Sequence, residues 1–220
     1  MERLSGLPLD EYIDTNILKP LQMNDTFFEV PPKKRDRFVQ NHFINPETGS
    51  LINADYAPAP YGYRKGVALS DYFNVSLISG GAGLVSTALD YARFAEMLRR
   101  GGTLDGARIL GPKSVAFMTK NHLSEPSMHA AWEQMPTPDI GRPGFGFGLG
   151  FGVVTDAAAI GVLGSDGEYN WGGAAGTIFW VDPTEELVVV SLIQLMQSPW
   201  PLRADVKVAV YQALTEIYEE

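Results

Sequence analysis

The sequence has no cysteine, which excludes disulfides, thiolate metal sites and a cysteine nucleophile together. It has only three histidines, His42, His122 and His129. None lies in an H-E-x-x-H pattern or at metal-ligand spacing from carboxylates, so they read as surface or loop residues. No metal or cofactor is expected. No apolar run approaches the roughly 18 residues that span a bilayer, so no membrane partner is expected. Met1-Glu2-Arg3-Leu4-Ser5-Gly6 lacks the apolar core of a signal peptide, and nothing else points to a compartment. Basic residues are scarce: 17 Lys and Arg stand against 26 Asp and Glu, a net charge of −9. A chain this acidic repels phosphate backbones, so nucleic acid is not expected as a partner. No serine sits in G-x-S-x-G, which removes an α/β-hydrolase elbow. Gly81-Ala82-Gly83 lacks the further glycine and the lysine of phosphate loops and reads as a tight turn into a helix.

What is present is globular. The 220 residues are 45% hydrophobic and 20% charged, enough for one large domain or two small ones. Glu2–Ser5 followed by Gly6 and Pro8 resembles a helix end, either frayed or continuing an element made elsewhere. Leu9, Ile13 and Ile17 recur at helical spacing over Leu9–Leu18, and Pro20 stops the run. Residues 29–70 show turn-formers and no period, with a basic run at Lys33-Lys34-Arg35 that reads as a solvated surface. A loop of that length suggests a lid or binding loop, and 121–143 reads the same way. Ser86 is the candidate N-cap of a helix carrying Tyr91, Phe94, Ala95 and Leu98, which Gly101-Gly102 ends. A short helix starts at Pro112 and turns Val115 and Met118 inward.

From Gly144 the period becomes two. Phe145, Phe147, Leu149 and Phe151 alternate with glycines, reading as one strand with a bare face against which something packs. Ala175–Val181 reads as a second strand, Val181–Glu185 as a turn, and Leu187–Leu195 as a third strand apolar enough for burial on both faces. A last helix over Arg203–Tyr218 carries Val206, Val210, Leu214 and Ile217 on one face and should lie on the sheet. The expectation is an α+β fold in one partial domain over 1–220. Its 1–143 part is helical with lid-like loops, and its 144–220 part is a strand meander with a C-terminal helix.

Gly164–Thr177 is the richest stretch. The Gly172-Gly173 step lets a ligand reach the backbone, and an unpaired N–H there suits a developing oxyanion, although a plain turn would look the same. Trp171-Gly-Gly-Ala-Ala-Gly-Thr-Ile-Phe-Trp-Val-Asp-Pro183 resembles the third motif of β-lactamase-related serine hydrolases. More narrowly it resembles the esterase branch near class C β-lactamases, the family VIII carboxylesterases, where W-G-G stands in place of K-T-G. Ser5–Ile13 and Leu18–Phe27 resemble that branch's "SGxPLxxYI…PLGMxDT" segment, with Gln22 where glycine is usual. Ser79–Thr87 resembles its "SGGGGLxST" turn, and Gly111–Val115 with Met118-Thr119 its "LSPxSVxxMT" helix.

That chemistry uses a serine with a lysine one helical turn on, S-x-x-K, plus a tyrosine as second proton handler. Three residues before Lys19, Lys33, Lys34, Lys65, Lys113, Lys120 and Lys207 stand Asn16, Val30, Pro31, Gly62, Leu110, Phe117 and Ala204. None is serine. Tyr72-Phe73-Asn74 spells Y-x-N but follows the "SGxPL" segment, whereas the family's tyrosine motif precedes it.

The resemblance therefore implies the C-terminal portion of a β-lactamase/transpeptidase-like, penicillin-binding-protein-like hydrolase. Its antiparallel sheet would be flanked by helices and would lack the N-terminal strands and the nucleophile helix. It would cleave carboxylic esters or β-lactams through a serine acyl-enzyme and be inactive alone; the alternative is a non-catalytic binding or structural remnant. By carry-over Trp171, Gly172 and Gly173 form the third motif, and the N–H of Ala174 is an oxyanion donor. Residues 29–70 and 121–143 would line or cover the acyl pocket of a small acyl substrate. The Leu187–Leu195 strand would be left as an apolar edge, paired with a second copy or with a complementary N-terminal segment.

Overall fold

The chain begins with the helix end that its sequence suggests. Helix α1 spans Glu2–Ser5, and Gly6 closes it in the left-handed region at φ 72°. The computed structural model describes residues 1–45, 47–53, 72–81, 83–124, 143–196 and 198–216. Within it the chain divides into two units. The first comprises Met1–Arg93, Ala174–Thr177 and Leu192–Trp200, and the second Phe94–Gly173, Ile178–Ser191 and Pro201–Glu220.

In the first unit, α2 (Leu9–Ile13) is helical as its spacing suggests, but Asp14–Leu18 continues as a π-helical turn. The Lys19 N–H reaches back five residues to the Asp14 carbonyl at 2.9 Å. The wider turn carries Leu18 into the core beside Leu21 and Met23. Gln22 adopts φ 55°. A side chain is strained in that region, which a glycine would occupy more easily.

The expectation of an unstructured 29–70 is corrected in its first half. Pro32–Arg37 forms a 3-10 helix, and β1 (His42–Ile44) pairs antiparallel with β2 (Leu51–Asn53). Their loop is closed by Asn45 Oδ1, which accepts from the Glu47 and Thr48 amides. This local side-chain bonding replaces the hydrophobic period that strand reading relies on. Residues 54–71 lie outside the described residues. The basic run is tied down as well as solvated. Lys34 donates to the Asn24 carbonyl and to Asp25, and Arg35 donates to the Phe73 carbonyl at 2.9 Å while lying over its ring.

Helix α3 (Ala88–Arg99) is capped by Thr87, whose Oγ1 accepts the Asp90 N–H at 3.2 Å. This corrects the N-cap from Ser86, whose hydroxyl instead pairs with that of Thr26. Asp90 in turn accepts from the Asp25 amide and the Thr26 hydroxyl. Ala95, Met97 and Leu98 bury its inner face, and Gly101 and Gly102 end it with φ 67° and 97°. A Cβ on Gly102 would stand 2.4 Å from the Leu110 carbonyl oxygen.

The second unit continues with a tight hairpin that the sequence reading lacks. Strands β3 (Thr103–Leu104) and β4 (Ala107–Arg108) flank Asp105-Gly106, both at positive φ. Helix α4 (Pro112–Met118) buries Val115 as expected. The Phe-Gly run is two strands and a turn, not one strand: β5 (Phe145–Phe147) pairs with β6 (Gly152–Val154). The Gly148 N–H donates to the Phe151 carbonyl at 2.7 Å, and Gly150 turns the chain at φ 95°. Period two persists through the turn, so periodicity alone cannot see the break. The bare face is approached closely. A Cβ on Gly146 would meet Asn121, and one on Gly148 would meet the Met118 carbonyl at 2.1 Å. Residues 125–142 of the second loop lie outside the described residues.

Helix α5 (Ala157–Ile160), capped by Asp156, leads to β7 (Tyr169–Gly172), β8 (Ile178–Asp182) and β9 (Leu187–Ser191). The sheet is an antiparallel meander in the order β5-β6-β7-β8-β9. The second strand therefore begins at Ile178, not Ala175, because Gly176 bends the chain at φ 85°. The third strand ends at Ser191, not Leu195, and is half-buried along its length. An end strand has a neighbour on one side only, so apolar composition does not bring full burial. The C-terminal helix α6 (Leu202–Gln212) ends before Leu214, and Ile217 and Tyr218 lie outside the described residues. It packs on the sheet, with Tyr211 stacked on Trp180. Among the described residues no helix is long and apolar enough to cross a membrane.

Candidate active site

Strand β7 brings Trp171 and Gly172 to its end through a continuous ladder with β8, Trp171 opposite Phe179 and Gly172 opposite Ile178. The Trp171 ring is 38% exposed and meets Phe147 edge-on at 4.9 Å between centroids. The strand stops there. Gly173–Thr177 is the hairpin turn, so Ala174 belongs to a turn and not to a strand, and the Gly-Gly step closes one strand instead of opening the next.

The carbonyls on either side of Ala174 are occupied. The Gly173 oxygen accepts from Arg203 Nη2 at 3.1 Å. The Ala175 oxygen accepts from the Leu195 N–H at 3.0 Å. Ala174 itself is exposed, and its N–H has no acceptor among the described residues. A turn held at two carbonyls that leaves an exposed N–H open suits an oxyanion site, because a fixed N–H does not have to reorganise when charge develops; the Ala175 and Gly176 N–H groups of the same turn also have no acceptor among the described residues.

Within the first unit, Ala175 packs on Phe43 and Met196. Strand β1 bridges Leu195: the His42 N–H donates to the Gln194 carbonyl at 3.0 Å, and the Met196 N–H to the His42 carbonyl at 2.8 Å. These main-chain bonds fix the walls of a cavity of ≈ 260 Å³ lined by His42, Ile44, Leu51, Gln194, Leu195 and Trp200. His122 Nε2 lies 2.8 Å from the Phe117 carbonyl, and His129 lies outside the described residues. Among the described residues no three His, Asp or Glu side chains converge to hold a metal ion.

The second unit holds a buried polar cluster that sequence reading misses. Glu168 is 1% exposed and Asp182 is fully buried. Lys207 Nζ lies 2.8 Å from Glu168 Oε1. The Tyr211 hydroxyl lies 2.7 Å from Asp182 Oδ2 and 3.0 Å from Glu168 Oε2. A phenol has one proton to donate, so both contacts are satisfied together only when a carboxyl also carries a proton. Burial pushes the Glu168 carboxyl above its usual range, against the pull of Lys207. Burial likewise pushes the Tyr211 phenol far up. The signal was the spacing of Arg203, Lys207 and Tyr211 at i, i+4 and i+8, which places three polar heads in one row beside the apolar stripe of α6.

Comparison with known proteins fits this framework. The family model described as Beta-lactamase matches residues 1–213. Protein Rv1367c of Mycobacterium tuberculosis is 34% identical over 200 residues, which cover 88% of this chain and 45% of that protein. The solved structure of EstCE1, described as a hydrolase with promiscuous acyltransferase activity, is 26% identical with a TM-score of 0.73, over 96% of this chain and 52% of that one. Simvastatin synthase (LovD) of Aspergillus terreus shares the fold, with a TM-score of 0.76 at 23% identity over 98% of this chain and 53% of that one. The chain thus spans about half the length of the relatives it matches. By sequence, the chain belongs to the Beta-lactamase family.

Proposed function

We propose that these 220 residues supply one wall of a serine hydrolase that cleaves carboxylic esters, with the Ser, Lys and Tyr of the reaction supplied by residues outside this sequence. The observation that carries this reading is the open Ala174 N–H beside Trp171-Gly172-Gly173, in a turn bonded at both flanking carbonyls. In such a reaction the serine Oγ attacks the ester carbonyl, its proton passes to the lysine–tyrosine pair, and the carbonyl oxygen becomes an oxyanion. The Ala174 N–H donates to that oxyanion. Collapse releases the alcohol, which takes up a proton, and water then hydrolyses the acyl-enzyme.

Two features favour an ester over a β-lactam. Trp171 replaces the lysine of K-T-G, leaving no cation at that position for a β-lactam carboxylate. The cavity beside Leu195 offers Ile44, Leu51 and Trp200 to an apolar acyl group. The outer edge of β9, which among the described residues pairs with β8 alone, is read as the place where a strand of the Ser-bearing segment adds.

The test is turnover of p-nitrophenyl butyrate and nitrocefin by the chain alone and assembled with an N-terminal segment carrying S-x-x-K. Ester turnover by the assembly only is expected. Turnover by the chain alone would show a nucleophile within these residues. A correctly assembled but inert complex would favour a non-catalytic remnant of the fold. A dimer of the chain through β9 would replace the segment by a second copy as the occupant of that edge.

A further inference from the structure

We propose that Arg203 is a positioning residue for the oxyanion donor, holding the Gly173–Ala174 peptide so that its N–H stays presented. This rests on the assignment of the Ala174 N–H as that donor. The Gly173 carbonyl and the Ala174 N–H belong to one peptide plane. The chain has no cis peptide among its described residues, so the two point in opposite directions. A guanidinium 3.1 Å from the carbonyl oxygen therefore also sets the direction of the N–H. The hold matters here because Gly172 and Gly173 precede the plane, and glycine leaves such a peptide free to rotate. The bond is charge-assisted, and drawing electrons toward the carbonyl makes the N–H on the same plane a stronger donor.

Arg203 can perform this role because its helix cannot shift. One turn on, Lys207 pairs with Glu168; two turns on, Tyr211 donates to Asp182. Arg203, Lys207 and Tyr211 recur at spacing four along α6, Lys207 and Tyr211 half-buried at the carboxylates and Arg203 exposed at the turn. Sliding or rotating α6 would unpair two buried carboxylates, a large cost. The buried cluster thus registers the helix, and Arg203 carries that register to the turn. The planar fork of arginine suits the task better than the more strongly hydrated ammonium of lysine.

The test uses selective labelling with 13C′-glycine and 15N-alanine. The chain has three Gly-Ala steps, at Gly81-Ala82, Gly106-Ala107 and Gly173-Ala174, so the carbonyl-to-amide spectrum is sparse. In Arg203→Met both the Gly173 carbon and the Ala174 nitrogen should move upfield, and Arg203→Lys should restore part of the shift. The other two pairs should stay in place and report an intact fold. In the assembly with the S-x-x-K segment, Arg203→Met should lower kcat for p-nitrophenyl butyrate roughly tenfold with KM unchanged, less than removal of a donor outright. Arg203→Lys should recover part of kcat. Unmoved Gly173 and Ala174 signals in Arg203→Met would overturn the proposal, as would moved signals with unchanged kcat. If the unsubstituted assembly has no turnover, the hydrolase reading falls, while the spectrum still decides whether Arg203 holds the peptide.

Discussion

Two acidic clusters show how differently the chain treats its carboxylates. In the first unit Asp25 sits at the surface, bonded by Lys34 at 2.7 Å and by Arg37 at 3.0 Å. Lys34 first, and then Arg37, hold its carboxyl below the usual range even against some desolvation. In the second unit Glu168 is also bonded to a lysine at 2.8 Å, yet its carboxyl is raised, because burial outweighs that pair. Similar distances give opposite shifts. What decides is access to water, which screens one cluster and leaves the other dependent on complete pairing.

The largest effect should come from breaking the buried pair. Lys207→Met leaves Glu168 without its cation and should cost about 3 kcal/mol at neutral pH, measured by urea unfolding. The loss should shrink as pH falls, since a protonated Glu168 no longer needs the cation. A loss below that of a surface substitution would mean that water reaches Glu168.

The first unit offers a gain instead. Gln22→Gly relieves the positive φ and should stabilise by about 1 kcal/mol, read as a raised urea midpoint. No gain would show that the Gln22 side chain offsets its strain. Smaller still, Lys34→Ala should cost less than about 1 kcal/mol and lose its effect in high salt, as exposed pairs do. A cost equal to that of Lys207→Met would erase the contrast between the clusters.

The last difference is a slope. Glu168 has a folded value above its unfolded one, so its contribution to stability is fully present below the ordinary carboxylate range and is lost as pH rises through the raised value. Asp25 is lowered, so its contribution is present above that range and is lost as pH falls through the lowered value. Measured from pH 7 toward 4, the native protein should therefore gain stability relative to Glu168→Gln and lose it relative to Asp25→Asn. Parallel curves would contradict both shifts.

The sequence carries more of the elements than of the site. Helix α3, the Gly101-Gly102 stop and α4 are legible because propensity, period and glycine agree over many residues. The β3–β4 hairpin was legible in principle, since Asp105-Gly106 is the residue pair that such two-residue turns select. The division of the Phe-Gly run is not legible, because glycine alternation reads the same in strand and turn. The half-burial of β9 depends on its place at the sheet end, a property of pairing and not of Leu187–Ser191 themselves. Trp171–Ala174 stands out as glycine-rich in sequence, and the resemblance names its role. Only the structure shows that the Ala174 N–H stays open while the carbonyl oxygens of Gly173 and Ala175 are bonded. The Glu168–Lys207–Tyr211–Asp182 cluster was hidden because lysine on a helix ordinarily faces water, and its partners lie 29 to 43 residues away in the chain.

The most direct measurement of the donor is the Ala174 amide proton before and after a phosphonate ester forms a tetrahedral adduct on the serine of the assembled protein. Donation to the phosphoryl oxygen predicts a downfield shift of that proton with slowed exchange against solvent, while the Ala82 and Ala107 amides stay put. An Ala174 proton unchanged in shift and exchange on a fully formed adduct would contradict its role.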